Sequence, residues 1–228
     1  MITTDPSLQS VPIAHHPDPA VLLAYSAGSL CESVALAIAC HASICRGCRD
    51  EIERLNAVGG TMISEASPAA VGDDALDRVL ARLDEPVPPA PVAPVLDVET
   101  RAVVPGPLQR YLNCSLSTLP WRRIGRSLEE ARLPLSGSGV KTALVRIKPG
   151  RSVPRHSHAG LEYTLVLAGG YQDNGEDFRR GDYAEFDSSH EHQPVADADG
   201  GCLCLVILDA PLRLSGWLGR LINPFLRV

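Results

Sequence analysis

Residues 40–48 have the sequence Cys40-His-Ala-Ser-Ile-Cys-Arg-Gly-Cys48, in which three side chains are spaced to converge on one metal ion. On a helix, His41 and Cys45 lie one turn apart on the same face, and Cys48 follows three residues later. An imidazole and two thiolates supply three of the four ligands of a tetrahedral zinc site. The stretch therefore predicts a small helical fold organised around a metal.

The fourth ligand must come from outside this stretch. His15 and His16 are the best candidates, because they lie just before the first predicted helix. That helix begins at Asp18-Pro19, with an aspartate cap and a proline in the first helical position, and ends at Gly28. The spacing Ser29-x-x-Glu32 is that of a capping box, and it predicts a second, almost wholly apolar helix that is buried between others.

A third helix is predicted from about Ser43 to Ala57, with Cys45 and Cys48 in its first turn and a stop at Gly59-Gly60. A helix N-terminus favours negative charge, so this position is expected to lower the pKa values of both thiols. Three helices totalling about fifty residues make a thin core, and domains of that size commonly depend on a metal or a partner. Structural zinc fits that need.

A fourth helix, capped by Asp73, is predicted from apolar residues that recur at i, i+3, i+4 and i+7. Its apolar stripe consists of Leu76, Val79, Leu80 and Leu83. The stripe either completes the helical bundle or binds another protein, and the pattern leaves both open. Five of the ten residues from Glu85 to Pro94 are proline, which predicts an extended, semi-rigid linker.

Beyond the linker, short β-branched and apolar segments alternate with glycine and proline turns, which is typical of an all-β sandwich or barrel. The predicted strands are Thr142 to Ile147, Tyr163 to Ala168, Asp182 to Phe186 and Cys202 to Leu208.

The composition of the 228-residue chain is that of an ordinary globular protein, with 45% hydrophobic and 21% charged residues. The sequence has no apolar run of roughly 18 residues and does not open with a secretory signal, so we expect a cytoplasmic protein whose seven cysteines are reduced. Residues 1–85 hold five arginines and twelve acidic residues, a net charge of −7, while the remainder carries +1. This asymmetry disfavours nucleic acid and suits a basic partner, although a solvated acidic surface explains it equally well.

A second cluster of possible ligands lies in Gly150-x5-His156-x-His158-x3-Glu162-x6-Gly169. Alternate residues of a strand share a face, so both histidines and the glutamate can point into a barrel. This spacing resembles the first signature of the cupin superfamily. Gly181-x5-Asp187-x-Ser189-x2-His192-x3-Ala196 resembles the second signature with three substitutions, and the resemblance makes His192 a fourth ligand.

Taken together, the histidine before the first helix, the HxxxCxxC motif, the fourth helix, the linker and the barrel resemble the ChrR type of zinc-binding anti-sigma factor over nearly the whole chain. Local sequence is also similar, as in Leu22-Leu-Ala-Tyr25, Ala57-Val-Gly-Gly60 and Asp209-Ala-Pro-Leu-Arg213. The resemblance implies an N-terminal all-α zinc-binding domain (1–85), a Pro-rich linker (86–107) and a C-terminal all-β cupin-like barrel (108–228).

The resemblance also implies a function and its metal ligands. The helical domain would sequester an extracytoplasmic-function (ECF) type sigma factor, and the barrel would trigger its release under oxidative stress such as singlet oxygen or an organic peroxide. The protein would be a regulator and not an enzyme, with no direct nucleic-acid or membrane partner. One zinc would be held by His16, His41, Cys45 and Cys48, with His15 as the competing choice for the first ligand. A second zinc would be held by His156, His158, Glu162 and His192, although the altered second signature leaves the ion there open.

The alternative is a metal-dependent cupin enzyme, a dioxygenase or isomerase, with a helical appendage. Three imidazoles and a carboxylate also suit iron, manganese or nickel, and an octahedral ion would keep two positions open for substrate. The zinc-binding helices and the acidic asymmetry favour the regulator, because a small dioxygenase needs neither.

The remaining cysteines and histidines are weaker signals. Cys202 and Cys204 share one face of a predicted strand and could both point into the barrel, where core filling is the favoured use over a redox role. Small, buried apolar roles are expected for Cys31, Cys40 and Cys114. His190 falls outside the cupin pattern and is expected at the surface or beside the ligands.

Overall fold

The computed structural model describes residues 12–87, 94–135 and 139–214. The helices are α1 (Pro19–Ser26), α2 (Glu32–Ile44), α3 (Arg46–Glu65), α4 (Ala75–Ala81), α5 (Val98–Val103) and α6 (Gly106–Gln109). The strands are β1 (Arg122–Ile124), β2 (Leu128–Arg132), β3 (Lys141–Ile147), β4 (His156–His158), β5 (Glu162–Asp173), β6 (Glu176–Arg179), β7 (Tyr183–Phe186), β8 (Val195–Ala196), β9 (Cys202–Leu208) and β10 (Leu212–Leu214). In the described part of the chain, no helix has the length and apolar character needed to span a bilayer.

Of the N-terminal caps predicted for the first two helices, the one of α1 is present and the one of α2 is not. Asp18 caps α1, its carboxylate accepting from the amide of Ala20 at 2.7 Å, as predicted. The predicted capping box of α2 is wrong. The N-cap of α2 is Cys31, without a side-chain hydrogen bond, while Ser29 donates its hydroxyl to the carbonyl of Ala24 in α1. The serine therefore closes the first helix instead of opening the second.

The chain bends between α2 and α3 at Cys45, whose backbone is extended with φ −89° and ψ 111°. His41 consequently lies in the last turn of α2 and Cys48 in the first turn of α3, on two helices that meet at the bend. The predicted stop at Gly59-Gly60 is wrong, because α3 continues to Glu65. A helical glycine costs only about 1 kcal/mol relative to alanine, and a helix of 20 residues tolerates that cost.

The apolar stripe of α4 does not complete a bundle with the other described helices. Leu76 is 67% exposed and Leu83 is 72% exposed, and the two residues between them in the stripe are exposed as well. The N-cap is Asp74 and not the predicted Asp73. Of the two roles left open by the pattern, burial within this chain is therefore excluded for the described residues.

The strands form an antiparallel sheet in the order β1-β2-β3-β9-β5-β6, with β7 and β8 also pairing with β5, and β10 pairs with β4 in a separate small sheet. The predicted class, helices followed by an all-β cupin-like domain, is confirmed. The expected barrel is not closed by hydrogen bonds among the described strands, however.

The central strand β5 is twice as long as the predicted strand, Tyr163 to Ala168, because it continues through a β-bulge. The pairing register with β9 shifts between Val166 and Ala168, and Gly169 follows with φ 65°. A Cβ on Gly169 would lie 2.0 Å from the carbonyl oxygen of Gly201, so only glycine fits this crossing. The neighbouring strand β9 has the predicted bounds.

The apolar core runs across the predicted boundary between the two domains. Ile38 of α2 belongs to the same buried cluster as Leu165 of β5 and Leu203 of β9. A buried hydrogen bond also joins the halves, from the hydroxyl of Thr142 to that of Ser33 at 2.7 Å. The segment predicted as linker, residues 86–107, includes α5 and the start of α6, and α6 packs against α2. The two halves therefore share one core.

Candidate metal centres

The predicted N-terminal ligands come together at the junction of α2 and α3. Four residues each offer one ligand atom within 4.8 Å of the others. They are His16, His41, Cys45 and Cys48. His16 Nδ1 lies 3.5 Å from the sulfur of each cysteine, and His41 Nε2 lies 3.2 Å from Cys48 Sγ. Tetrahedral zinc, with its usual bond lengths, separates nitrogen and sulfur ligands by about 3.6 Å.

His41 is held in the tautomer that a metal ligand requires. Its ring is fully buried, and Nδ1 donates to the carbonyl oxygen of Gly181 at 2.8 Å. A donor at Nδ1 leaves the lone pair of Nε2 directed at the thiols. Burial lowers the pKa of His41 to about 4, so the ring stays neutral at pH 7.

The sulfur atoms of Cys45 and Cys48 each lie 3.5 Å from His16 Nδ1, so two thiolates in this cluster would repel each other without a cation. Burial, together with the neighbouring Cys45, raises the pKa of the Cys48 thiol to about 12. The expectation that the helix N-terminus lowers the thiol pKa is wrong for Cys48, because burial and the neighbouring sulfur both raise it. A bound dication would supply the missing positive charge, so the donor set fits zinc. Cys40, whose pKa burial also raises to about 12, is outside the cluster.

The competing ligand His15 is directed away from the cluster. Its ring stacks on Phe178 of β6 with centroids 4.2 Å apart, and its Nε2 lies 3.1 Å from the carbonyl oxygen of Asp177. Consecutive residues in extended chain point to opposite sides, so His15 contacts the cupin-like domain while His16 faces the thiols. The structure thus brings His16 into the N-terminal cluster.

The second set of predicted ligands also converges, inside the cupin-like domain. Four buried residues each offer a ligand atom within 4.8 Å of the others. They are His156, His158, Glu162 and His192. His158 Nε2 lies 2.8 Å from His192 Nε2, and His158 Nδ1 lies 3.4 Å from Glu162 Oε2. The backbones of His156 and His192 form a bridge that holds the two rings together.

Three residues orient these ligands. Asp173 accepts from His192 Nδ1 at 2.8 Å, the carbonyl of Pro154 accepts from His156 Nδ1 at 2.8 Å, and Thr164 donates to Glu162 at 2.9 Å. Each acceptor fixes a tautomer and turns the other ring nitrogen towards the cluster.

Sequence reasoning missed Asp173 because it lies eleven residues after Glu162, an odd offset that places it on the opposite face of a regular strand. The bulge between Val166 and Ala168 reverses this alternation and brings Asp173 to the interior.

The shifted pKa values of the buried ligands favour a bound cation. Burial lowers the pKa of His156 to about 4 and that of His158 to about 3, and burial raises the pKa of Glu162. His158 Nδ1 is buried without a hydrogen-bond partner among the described residues. Neutral imidazoles with free lone pairs beside a carboxylate suit a divalent metal, so the residues fit the group.

A cavity of about 150 Å³ adjoins this cluster in the interior of the cupin-like domain. Its wall is mainly apolar, and His156, Glu162 and His192 form part of it. Glu130 and Lys141, which form an ion pair with each other, also line the cavity. A small, largely apolar molecule would fit beside the ligands.

The remaining cysteines divide into two groups. Cys202 and Cys204 are buried in β9 with their sulfur atoms 3.2 Å apart, and Cys204 lines the cavity. Cys40 is buried as expected, but the expectation is wrong for Cys31, which is exposed, and Cys114 is half-buried. His190 is exposed and pairs with Asp187.

The β half of the chain is similar to a known protein family. Residues 110–210 match the family model described as the ChrR cupin-like domain. Together with the helices, this defines a protein of two parts, a helical region that carries a candidate metal-binding His/Cys cluster and a cupin-like domain.

The whole chain is 39% identical to the anti-sigma-E factor ChrR of Cereibacter sphaeroides over 216 residues, covering 95% of this chain and 99% of the relative. It therefore belongs to the ChrR family of anti-sigma factors, which are regulators and not enzymes.

Two solved structures are also similar. The first is the crystal structure of Rhodobacter sphaeroides SigE in complex with the anti-sigma factor ChrR, with 37% identity and a TM-score of 0.75 over 87% of this chain and 100% of that one. The second is an RmlC-like cupin from Ralstonia eutropha JMP134, with 19% identity and a TM-score of 0.40 over 45% of this chain and 71% of that one.

Proposed function

We propose that the chain is a cytoplasmic, zinc-dependent anti-sigma factor that sequesters an ECF-type sigma factor and releases it under oxidative stress such as singlet oxygen or an organic peroxide. The observation that carries this proposal is the similarity to ChrR over nearly the full length of both chains, including the structure of ChrR bound to SigE. The His/Cys cluster and the exposed apolar helices add support from this chain's own residues.

The surface that would bind the sigma factor is formed by α3 and α4. Both helices expose large apolar side chains. Those on α3 are Val58, Met62 and Ile63, and those on α4 and just after it are Leu76, Val79, Leu80 and Leu83. Exposed apolar residues at helical spacing, within a segment of net charge −7, suit a partner with apolar grooves and a basic rim. A sigma factor, whose surfaces face DNA and polymerase, has that chemistry.

The N-terminal metal would hold this surface in place. His16, His41, Cys45 and Cys48 belong to three separate elements, namely the segment before α1, the end of α2 and the start of α3. Zinc bound by these four residues would cross-link the elements and supply folding free energy that a thin helical core lacks. The chain's contribution is to bury neutral imidazole and two thiols at one point.

The second cluster and its cavity would form the sensing element. His156, His158, Glu162 and His192 are buried beside a cavity of about 150 Å³, so an oxidant small enough to enter would meet a metal held by these residues. Zinc would supply a Lewis acid there, and Asp173 would keep the ring of His192 oriented. Cys204 lines the same cavity and its sulfur lies 3.2 Å from that of Cys202, so two thiols lie close to the cavity that the oxidant would enter.

The cavity would also suit the alternative, a metal-dependent dioxygenase or isomerase, because cupin enzymes need a substrate pocket beside the ligands, but the similarity to ChrR over both chains favours the regulator. The donor set of three imidazoles and a carboxylate accepts iron or manganese as readily as zinc. Elemental analysis of protein purified from its own host separates the two. We expect about two zinc ions per chain, one for each four-ligand cluster. Stoichiometric iron or manganese, with oxygen uptake on a diketone or a thiol, would support the enzyme instead.

The central test replaces one N-terminal ligand and measures zinc and sigma-factor binding together. In Cys48→Ser, we expect the full chain to lose one of about two zinc ions and to lose inhibition of its sigma factor in transcription in vitro, because structural zinc contributes apparent binding energies on the order of 10–16 kcal/mol. Cys114→Ser, outside both clusters, is the matched control. A Cys48→Ser protein that keeps both zinc ions and still inhibits would contradict the proposed ligand set.

A further inference from the structure

Hydrogen bonds hold the segment before α1 against the cupin-like domain. We call the residues on both sides of this contact the latch; they are residues 13–15, His41 and residues 181–183. The carboxylate of Asp182, only 1% exposed, accepts from the amides of Ala14 at 2.8 Å and His15 at 3.0 Å. The amide of Tyr183 donates to the carbonyl of His15 at 3.0 Å. The amide and the carbonyl of His15 are thus both hydrogen-bonded to the turn between β6 and β7.

The same turn also contacts His41, another candidate ligand of the N-terminal cluster. Gly181, directly before Asp182, accepts the hydrogen bond from His41 Nδ1 at 2.8 Å. It has φ 94°, and a Cβ there would lie 2.8 Å from Cδ1 of Ile13 and 3.3 Å from Cγ2 of Ile44. Glycine is therefore required for the turn to approach the helices this closely.

We propose that Gly181 and Asp182 are positioning residues for the N-terminal metal site, so that this site is built jointly by both halves of the protein. Asp182 places His16 through the backbone of His15, and Gly181 fixes the tautomer and ring orientation of His41. Two of the four ligands thus depend on a turn more than one hundred residues away. The inference rests on the proposed zinc site, which it extends to the residues that hold its ligands in place.

The latch also connects the two metal clusters by a short path. Strand β7, which begins at Tyr183, pairs with β5 in a register that places Phe186 opposite Glu162. Asp182 is anchored to β5 as well, because its carbonyl accepts from the amide of Val166. The β5–β7 strand pair therefore connects the position of Glu162 directly with the latch.

The test compares two glycine variants in the full chain, using Co²⁺ as the probe. Cobalt bound to thiolates absorbs strongly, so this absorption reports the Cys45 and Cys48 site alone. Gly181→Ala places a methyl group against Ile13 and Ile44. Gly175→Ala is the matched control, because Gly175 has a similar φ of 88° but no atom within 4 Å of the added Cβ.

After addition of excess chelator, we expect Gly181→Ala to lose the thiolate absorption about tenfold faster than the unmodified protein, the lower end of what loss of a ligand-orienting contact costs. Gly175→Ala should match the unmodified protein. Adding Ile13→Ala to Gly181→Ala removes the two closest contacting atoms, at 2.8 and 2.9 Å, and leaves only the 3.3 Å contact with Ile44, so it should slow the release again. Equal release in both glycine variants, or no rescue by Ile13→Ala, would overturn the latch.

A second measurement needs no variant. The latch requires that the amides of Ala14 and His15 exchange slowly with solvent in the intact protein, and rapid exchange at both would overturn it even if Gly181→Ala failed to fold. Failure of the proposed function is distinguishable from failure of the latch. If the unmodified chain binds Co²⁺ without thiolate absorption, the metal site itself is absent, whereas normal absorption with equal release rates removes only the latch.

Discussion

At the scale of single residues, the buried imidazoles of His41, His156 and His192 are each fixed by an acceptor behind the ring. His41 donates to Gly181, and His192 donates to Asp173, each from Nδ1. Sequence spacing predicted which residues would gather, because ligand spacing on a helix or strand is local. It could not predict the acceptors, because Gly181 lies 140 residues from His41 and is joined to it only by the packing of the two halves.

The pair of adjacent histidines offers a sharp test at this scale. His16→Ala removes a ligand, so we expect the metal content of the full chain to fall from about two ions to about one. His15→Ala removes only a ring that stacks on Phe178, and should keep both ions. Elemental analysis of dialysed protein measures the difference. Loss of an ion in His15→Ala with full content in His16→Ala would reverse the assignment of the first ligand.

At the scale of elements, periodicity predicted where helices form more reliably than what covers them. The stripe on α4 was visible in the sequence, but whether Leu76 and Leu83 face a core depends on the path of the chain after α3. The length of α3 was missed because two glycines suggested a stop, while nothing in the surroundings of Gly59 or Gly60 interrupts the helix. In β5, the bulge changed which face Asp173 occupies, and no sequence pattern records that change.

The exposed stripe predicts a variant that separates binding from stability. Leu76→Ser combined with Leu80→Ser should leave the free energy of unfolding within about 0.5 kcal/mol, because both side chains are exposed. Affinity for the sigma factor should fall at least about tenfold, since each apolar side chain buried in the complex contributes about 1.5–3 kcal/mol. Thermal unfolding and titration with the sigma factor measure the two quantities.

Ala81→Ser, an exposed and uncharged position on the same helix outside the apolar stripe, is the control for this variant and should retain affinity. Unchanged affinity in the double variant would exclude α4 from the interface and leave α3 as the remaining apolar surface of the helical half.

At the scale of the whole molecule, the function that we propose assigns repression and release to different halves, even though the halves share one core. We predict that His158→Ala keeps repression, because the four N-terminal ligands and the α4 stripe are unchanged. Induction by singlet oxygen or an organic peroxide should fall to near the uninduced level, since the sensing cluster loses a ligand. Reporter transcription with and without oxidant measures both. His190→Ala is the control, because its exposed ring lies outside the cluster.

The division of labour is tested most directly by a fragment of residues 1–85. It contains His16, His41, Cys45, Cys48 and the α4 stripe, so with zinc in excess we expect it to repress its sigma factor. It lacks Gly181 and Asp182, so it should release its metal to a chelator faster than the intact chain does. It lacks the sensing cluster and should not release the sigma factor under oxidant. It should also melt at a lower temperature than the intact chain, because Ile38 and its neighbours in α2 lose their contacts with β5 and β9. Circular dichroism and zinc content establish that the fragment is folded and loaded before transcription is measured. A folded, zinc-loaded fragment that cannot repress would show that the sigma-binding surface requires the cupin-like domain.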